Sequence, residues 1–345
     1  MPTYRGLKLL AISAVLSSLL GLAACGGGGG GYGGGGMNMP VTGAGPSKLF
    51  AADAPHMAVG SLANPNPSEG MLAVDRIITG GIYAQLSNNI RSLVLDTTND
   101  ILYVGNGASI KVFNGASQAN GDIPPNRIIT NSPPGGNTGS MFLDTTPTNG
   151  RLYVGDDVFG VRVFDNASMI NGATLSTRVI TGLGTIHGVT VDAGPGRDIL
   201  YVANTTSASS NEINLFTAST AADPATPIAT ITPTVSMVNL HVGGISVDAG
   251  RDLLYVAGFT DSTVNVFASV HSTTGGAIAP TKTLTFPGTI SSVTIDSANN
   301  RLYAVSLGAI YILNSASTAT DPITVTAILA PTLGSFTAVA VNPNP

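Results

Sequence analysis

An aspartate returns along this chain at nearly constant spacing, each time between two short apolar segments. One example of this aspartate with its two flanking segments is VTVDAGPGRDILYVAN, at positions 189–204. The repeated residues, which we call the anchor aspartates, are Asp96, Asp144, Asp192, Asp248 and Asp296. They are separated by 48, 48, 56 and 48 residues. A fixed period of this length indicates a propeller, a solenoid or another repeat array.

The content of each period favours a propeller. In the third repeat, four short apolar segments lie at 189–191, 199–203, 213–216 and 228–231. β-Branched and aromatic residues dominate these segments, which favours strands, and none has the length or the 3.6-residue periodicity of an amphipathic helix. A Gly/Pro/Asp-rich turn separates the first two, as in a hairpin. Four strands per period predict the blade of a β-propeller, and therefore an all-β fold.

The two ends of the repeat region predict how the ring closes. Residues 47–79 match the second, third and fourth strands of a blade, with VDRIITG at 74–80 corresponding to NRIIT at 126–130. The missing first strand corresponds to FTAVAVNPN at 336–344, which places Asn342 at the anchor position. Five complete blades and this split blade predict a six-bladed β-propeller over residues 47–345, closed by a three-plus-one strand seam. Closure removes the strand edges that a linear array would expose.

Within a blade, the anchor aspartate is predicted to be structural, because it can accept hydrogen bonds from the amides of the turn that follows it. Four arginines shortly before the tyrosine of the next strand are candidate partners for these aspartates: Arg151, Arg197, Arg251 and Arg301. Small or polar residues such as Thr190 and Ser246 alternate with apolar residues on the first strand. This alternation is typical of an innermost strand whose two faces lie against neighbouring blades.

Residues 1–24 have the pattern of a secretory signal peptide, in which Arg5 and Lys8 precede an apolar run from Leu9 to Leu22. The sequence LAAC at 22–25 resembles a bacterial lipobox, which implies cleavage before Cys25 and lipidation of that cysteine. Because Cys25 is the only cysteine, no intramolecular disulfide is expected. The glycine-rich residues 25–46 are predicted to form a flexible tether. We therefore expect a lipoprotein of the cell envelope, anchored in the outer membrane, with its propeller outside the cytoplasm.

Two of the repeated segments resemble a known group of repeats. LYVAN at 200–204 and LYVGN at 102–106, with the VF-containing strands that follow them, resemble the YVTN and NHL-type β-propeller repeats of bacterial secreted proteins. The resemblance covers roughly residues 47–345. It implies the propeller fold but no particular activity, since these families include binding proteins, lactonases and proteins of unknown role.

The candidate ligand-binding residues depart from the repeat pattern on one face of the predicted ring. This face carries the loops between second and third strands and the loops that lead into each first strand, and functional sites of propellers usually lie there. The candidates are Arg91, His187, His241, Asp156, Asp157, Glu212 and Asp261. His56 occupies the equivalent loop of the split blade. A histidine among carboxylates can bind a cation or act in acid–base chemistry; the alternative is that these are ordinary solvated loop residues. The acidic members favour cations or polar neutral ligands.

No catalytic residue, cofactor or metal-ligand set is predicted. The chain has no tryptophan, which argues against quinone-cofactor propellers, and its first strands begin mostly with Gly, Ser and Thr instead of the Glu and Asn/Asp cage of calcium-dependent lactonases. The net charge is −5, or −7 once Arg5 and Lys8 are removed, so nucleic acid is not an expected partner. We predict a monomeric, membrane-anchored binding or scaffolding protein for an envelope protein or glycan. The alternative is a lactonase-like propeller hydrolase.

Overall fold

Six β-sheets, one for each blade, form the fold. The computed structural model describes residues 49–62, 74–132, 136–207, 210–235, 244–258, 262–325 and 333–342. In these residues the strands of each sheet follow one another antiparallel, and the innermost strands of all six sheets surround one channel. The repeat's prediction of a six-bladed β-propeller is confirmed. We number blades one to five by their anchor aspartates, from Asp96 to Asp296, and call the split blade the seam blade.

Each blade runs from an innermost strand at the channel to an outer strand at the rim. The innermost strands of blades one to five and of the seam blade are Ile90–Asp96, Thr138–Asp144, Thr185–Asp192, Ile245–Asp248, Ser292–Asp296 and Phe336–Val341. The second strands, in the same order, are Ile101–Asn106, Arg151–Asp156, Ile199–Ser207, Leu253–Gly258, Arg301–Ser306 and Leu49–Asp53. The third strands are Ser109–Asn114, Gly160–Asp165, Ser210–Thr217, Thr263–Ala268, Ala309–Asn314 and Ala58–Leu62. The outer strands of blades one to four and of the seam blade are Arg127–Ser132, Arg178–Ile180, Ala229–Pro233, Lys282–Thr285 and Val74–Thr79.

Short segments of the following blade cover two of the outer strands. Gly172–Leu175 pairs in parallel with the outer strand of blade one, and Gly276–Ile278 pairs in the same way with that of blade three. The 3-10 helices Ala116–Gln118 and Val270–Ser272 lie in loops that follow third strands. An unpaired outer strand is a template for pairing with another chain, so these segments protect the rim from association.

The ring closes at the seam that the sequence predicted. Phe336–Val341 is the innermost strand of the seam blade and pairs antiparallel with Leu49–Asp53. The side chain of Asp53 is buried, and it accepts a hydrogen bond of 2.7 Å from the backbone N–H of Gly334, just before that strand. The first and last described strands therefore belong to one sheet, which is how the ring avoids a free innermost edge.

The hydrophobic core lies between adjacent blades. Six clusters of buried side chains occupy the six interfaces between neighbouring blades. The tyrosine of the LYV-type second strand is buried in such an interface, as in Tyr201 and Tyr255, and burial raises the pKa of both phenols. Each blade contributes to two interfaces, so no blade buries its apolar residues alone.

Around the channel, one hydroxyl side chain of every innermost strand hydrogen-bonds the backbone of the next innermost strand. Three hydroxyls donate to a carbonyl: Ser92 to Gly139 at 2.6 Å, Thr294 to Val339 at 3.3 Å and Thr337 to Ile90 at 3.1 Å. Three accept from an N–H: Ser140 from Val189 at 3.1 Å, Thr190 from Val247 at 3.4 Å and Ser246 from Ile295 at 3.1 Å. We call these six residues the hydroxyl belt. They satisfy backbone groups on the edge that faces the channel, which has no neighbouring strand.

The anchor aspartates cap their turns, as predicted. Asp96, for example, accepts hydrogen bonds from the backbone and the side chain of Asn99, at 3.0 and 2.8 Å. The predicted arginine pairing is confirmed in blades three and four, where Arg197 binds Asp192 and Arg251 binds Asp248. In blades two and five it is wrong: Arg151 binds Asp165, and Arg301 binds Asn314. The reason is register, because each of those arginines begins its strand directly opposite that partner.

The hydroxyl belt predicts a loss of stability when one of its hydroxyl groups is removed. Ser92→Ala removes the 2.6 Å hydrogen bond and leaves the buried carbonyl of Gly139 without that donor. We expect the free energy of unfolding to fall by about 1–3 kcal/mol, measured as a lower urea midpoint with an unchanged m-value. Thr97→Ala removes an exposed hydroxyl one residue beyond Asp96 and serves as the control. Equal midpoints for the two variants would contradict a role of the belt in stability.

Candidate functional site

Because successive strands of a blade are antiparallel, two sets of loops share one face of the ring. They are the loops between second and third strands and the loops that lead into each innermost strand. We call this side the front face. Of the sequence-predicted residues, Arg91, Asp156, Asp157, His187 and Glu212 can be placed on it. His241 and Asp261 lie outside the described residues.

A cavity of about 240 Å³ occupies the channel and is lined by all six innermost strands. The lining residues include Val, Leu, Ile and Ala together with serines and threonines of the belt. Arg91 is the one charged residue in this lining, and Phe142 is the one aromatic residue. Arg91 lies five residues before its anchor aspartate and Phe142 two before its own, so Arg91 is nearer the front face. The charged residue of the described lining therefore lies toward the front mouth of the cavity.

The structure brings two predicted residues together at this mouth. The Nη1 atom of Arg91 lies 3.7 Å from a carboxylate oxygen of Asp157, and its Nε donates to Asn89 at 2.8 Å. Asn137 connects the same group, because its backbone N–H and its amide both donate to Asp157, at 2.7 and 2.8 Å. Both charged side chains are about one-third exposed. Arg91 belongs to blade one and Asp157 to blade two, so only the assembled ring creates this pair.

Asp156 differs sharply from its neighbour Asp157. Its side chain is fully buried, 3.3 Å from the Nε of the equally buried Arg162, and it accepts backbone hydrogen bonds from Val158 and Phe159. The guanidinium of Arg162 also lies over the ring of Phe159, 4.2 Å from its centre. These contacts assign Asp156 to the structure of the loop. Asp157 is the member of the pair that meets solvent.

Blade three carries His187 on its first strand and Glu212 on its third strand. Its second strand continues three residues beyond Asn204, which occupies the position where the second strand of blade one ends. The Nε2 of His187 lies 2.7 Å from the hydroxyl of Thr205, which donates to Asn211 at 2.8 Å. Glu212 is half-buried and lies opposite Asn204. The blade-three network is built from side chains other than those of the Arg91–Asp157 pair.

His56 lies on the second-to-third-strand loop of the seam blade, as expected. Its Nδ1 is 2.8 Å from the buried carboxylate of Asp53, the same carboxylate that binds the backbone of Gly334. The histidine ring is largely exposed. Asp53 thus connects His56 to the seam. His56 therefore contributes to the contacts that close the ring, and it also lies on the front face.

The sequence reasoning missed the apolar residues of the front face. The described ranges leave eight large apolar side chains exposed, and five of them lie on front-face loops. These five are Met57, Ile82, Tyr83, Val158 and Leu307. A signal was present in the sequence, since IY at 82–83 is an apolar pair inside a loop otherwise rich in Gly, Ser and Asn.

The loop that carries Ile82 and Tyr83 is held in one conformation. The carboxylate of Asp122 accepts the N–H groups of Tyr83 and Ala84, at 3.1 and 2.7 Å. A Cβ atom at Gly80 would lie 2.5 Å from the carbonyl oxygen of Met57, so only glycine permits this close approach. Ile82 is 86% exposed and Tyr83 62% exposed. Two large side chains are therefore presented to solvent by an ordered backbone.

Within the described ranges, no group of three or more His, Cys, Asp and Glu side chains is placed to hold a metal ion. The same residues include no helix that is long and apolar enough to cross a membrane.

Comparisons with known proteins define the class of this protein by its fold. No protein-family model matches the sequence, and no curated protein matches it. Among solved structures, it is similar to a chain in the crystal structure of the nidogen/laminin complex, with a TM-score of 0.54. The match covers 86% of this chain and 98% of that chain, at 13% sequence identity. Similarity at this level of identity shows the fold, a six-bladed β-propeller, and the YVTN and NHL-type resemblance stays a prediction.

The contrast between Asp156 and Asp157 gives a direct test of which residue is structural. Asp156→Asn leaves Arg162 as a buried, uncompensated charge, and we expect a loss of about 3–5 kcal/mol in the free energy of unfolding. Asp157→Asn, at a solvent-exposed position, is expected to stay within about 1 kcal/mol of the parent. Urea denaturation measures both. Adding Arg162→Met to Asp156→Asn should restore much of the loss, and a double variant no better than the single one would argue against the ion pair as the cause.

Proposed function

We propose that this protein is a lipid-anchored propeller of the bacterial cell envelope that binds a partner protein through its front face. The observation that carries the proposal is the presentation of Ile82 and Tyr83 on a loop fixed by Asp122. Aromatic and large apolar residues on an ordered backbone are typical of the few positions that dominate protein–protein binding energy. The similar propeller chain comes from a protein–protein complex, which is consistent with this role.

The chemistry of the front face suggests the kind of partner. Met57 adjoins the Ile82–Tyr83 loop, since the N–H of Gly80 donates to the carbonyl of Met57 at 2.5 Å. This apolar group is accompanied on the face by Asp157 and by His56. We expect a partner surface with an apolar recess for the aromatic ring and polar or basic groups around it.

Anchoring follows from the lipobox resemblance at Cys25, which lies outside the described residues. Acyl chains contribute about 0.8 kcal/mol for each buried CH₂ group, so two or three of them hold a protein stably at a bilayer. The glycine-rich residues 26–46 would let the propeller reach roughly 25 Å from the membrane surface. A partner in or near the same membrane would then meet the front face at a high effective concentration.

The anchor is tested by Cys25→Ser. We expect this variant to lose incorporation of radiolabelled palmitate and to leave the membrane fraction, or to accumulate with its signal peptide uncleaved. Gly30→Ser changes the tether but keeps LAAC, and should fractionate as the parent does. Processed Cys25→Ser protein that remains in the membrane fraction would rule out lipid anchoring.

The binding face is tested by the double variant Ile82→Ser/Tyr83→Ser. We expect capture of a specific protein from envelope extract to weaken at least about tenfold, because hot-spot residues typically contribute about 2 kcal/mol or more each. Met169→Ser/Ile228→Ser is the matched control, since these side chains are 71% and 58% exposed and lie between third and outer strands, on the face opposite the front face. The proposal fails if the control loses the same protein, or if neither variant does.

A further inference from the structure

A buried lysine contacts the loop that presents Ile82 and Tyr83. We propose that the partner protein places one carboxylate against this residue, Lys111, so that the front face recognises an acidic side chain next to a large apolar one. This inference deepens the proposed protein-binding role and rests on it. The observation that carries it is an ammonium group that is buried without a counter-charge in the described part of the chain.

Lys111 has a single weak partner of its own. It lies on the third strand of blade one and is 7% exposed. Its Nζ donates to the Oε1 of Gln85 at 3.4 Å, which is longer than the usual range of about 2.7–3.2 Å. No carboxylate within the described ranges pairs with it, and burial lowers the pKa of the ammonium. Because the cost of burying this charge has no compensation in the free protein, a carboxylate would stabilise it more than it would stabilise an exposed lysine.

Blade two shows what Lys111 lacks. Arg162 occupies the equivalent position there, two residues before the phenylalanine of the third strand, and the buried Asp156 balances its charge at 3.3 Å. Blade one carries Asn106 where blade two carries Asp156, at the end of the second strand. This neutral amide is hydrogen-bonded to Ser87 and cannot balance a charge. A carboxylate from a partner would restore in blade one the ion pair that blade two contains.

Gln85 is the side chain that an incoming carboxylate would displace. It is exposed, whereas its neighbours Ala84 and Leu86 are buried, so the backbone is fixed on both sides of a side chain that reaches solvent. Rotation of the Gln85 side chain would replace a neutral acceptor of Lys111 by a charged one. Charge-assisted hydrogen bonds are shorter and stronger than neutral ones, so the exchange strengthens the contact.

The apolar part of the recognised segment follows from the order of residues in the loop. Tyr83 and Ile82 precede Gln85 by two and three residues, so a segment that reaches Lys111 also meets these exposed side chains. The neighbouring carboxylate of Asp122 accepts two backbone N–H groups of the same loop, which offset its charge. We therefore expect a partner segment in which Asp or Glu adjoins an aromatic or large aliphatic residue.

The probe is a display library of random peptides, selected on the detergent-solubilised full chain with empty detergent micelles as the background. Enriched peptides are synthesised in two forms, with their Asp or Glu residues and with Asn or Gln in their place, and are titrated by fluorescence anisotropy. We expect the enriched peptides to combine an acidic residue with a neighbouring aromatic or large aliphatic one. The amide forms should bind at least about tenfold more weakly.

Three variants assign this preference to Lys111. Lys111→Met removes the charge, and we expect it to bind the two peptide forms equally, at least about tenfold more weakly than the parent binds the acidic form. Gln85→Glu supplies an internal carboxylate, so it should raise the urea midpoint and also weaken the acidic peptides at least about tenfold. Gain of stability with loss of binding excludes misfolding as the cause. Lys282→Met removes an equal charge at the start of the outer strand of blade four, away from the front face, and should leave binding unchanged.

Three results would overturn the proposal. They are no enrichment above the micelle background, equal binding of acidic and amide forms to the parent, and a folded Lys111→Met that keeps the preference for the acidic form. Peptides that lose affinity for Lys111→Met but not for Ile82→Ser/Tyr83→Ser would support the carboxylate contact and contradict the role of Ile82 and Tyr83. Peptides with the converse pattern would contradict the carboxylate contact and support that role, so the two proposals fail separately.

Discussion

The ring depends on how six innermost strands meet around one channel. Each of these strands has a hydrogen-bonded neighbour on one side only, and its other edge faces the axis. The hydroxyl belt joins every innermost strand to the next one through a backbone group, from Ser92 to Thr337. A serine or threonine is small enough to fit between converging blades and can act as donor or acceptor. Five of these six residues, all but Thr337, also line the channel that they surround.

Residues that recur in every blade stabilise the fold, whereas residues that differ between blades determine the chemistry of the surface. The anchor aspartates have the same task in every blade, which is to bind the turn that follows. Arg91 stands at a position where the other blades carry histidine, glycine, serine or threonine, and it is the one charged residue in the described lining of the channel. A residue that differs from the repeat is nevertheless not always part of a binding site. Asp156 also breaks the pattern, yet it is buried against Arg162 and organises its own loop.

The front face combines an exposed apolar group and a charged pair. Ile82 and Tyr83 project from a loop at the outer side of the ring, held there by Asp122 of the next blade. Arg91 and Asp157 lie at the mouth of the channel, across the boundary between blades one and two. The first group is apolar and exposed, with Ile82 86% and Tyr83 62% exposed. The second is an oppositely charged pair whose side chains are each about one-third exposed. The two groups share no residue, so the front face carries its apolar and its charged side chains in separate places.

The sequence by itself determined the number of blades and the three-plus-one seam, because a period of about 48 residues with four strands has few solutions. It could not determine which neighbouring residues point to solvent: Asp156 and Asp157 are adjacent in the chain and opposite in burial. Nor could it pair Arg91 with Asp157, because the two come from different blades and meet only when the ring has closed. Local hydrogen bonding and hydrophobic periodicity are encoded within one repeat. Contacts between repeats depend on the angle and register at which blades pack, and those were decided by the tertiary structure alone.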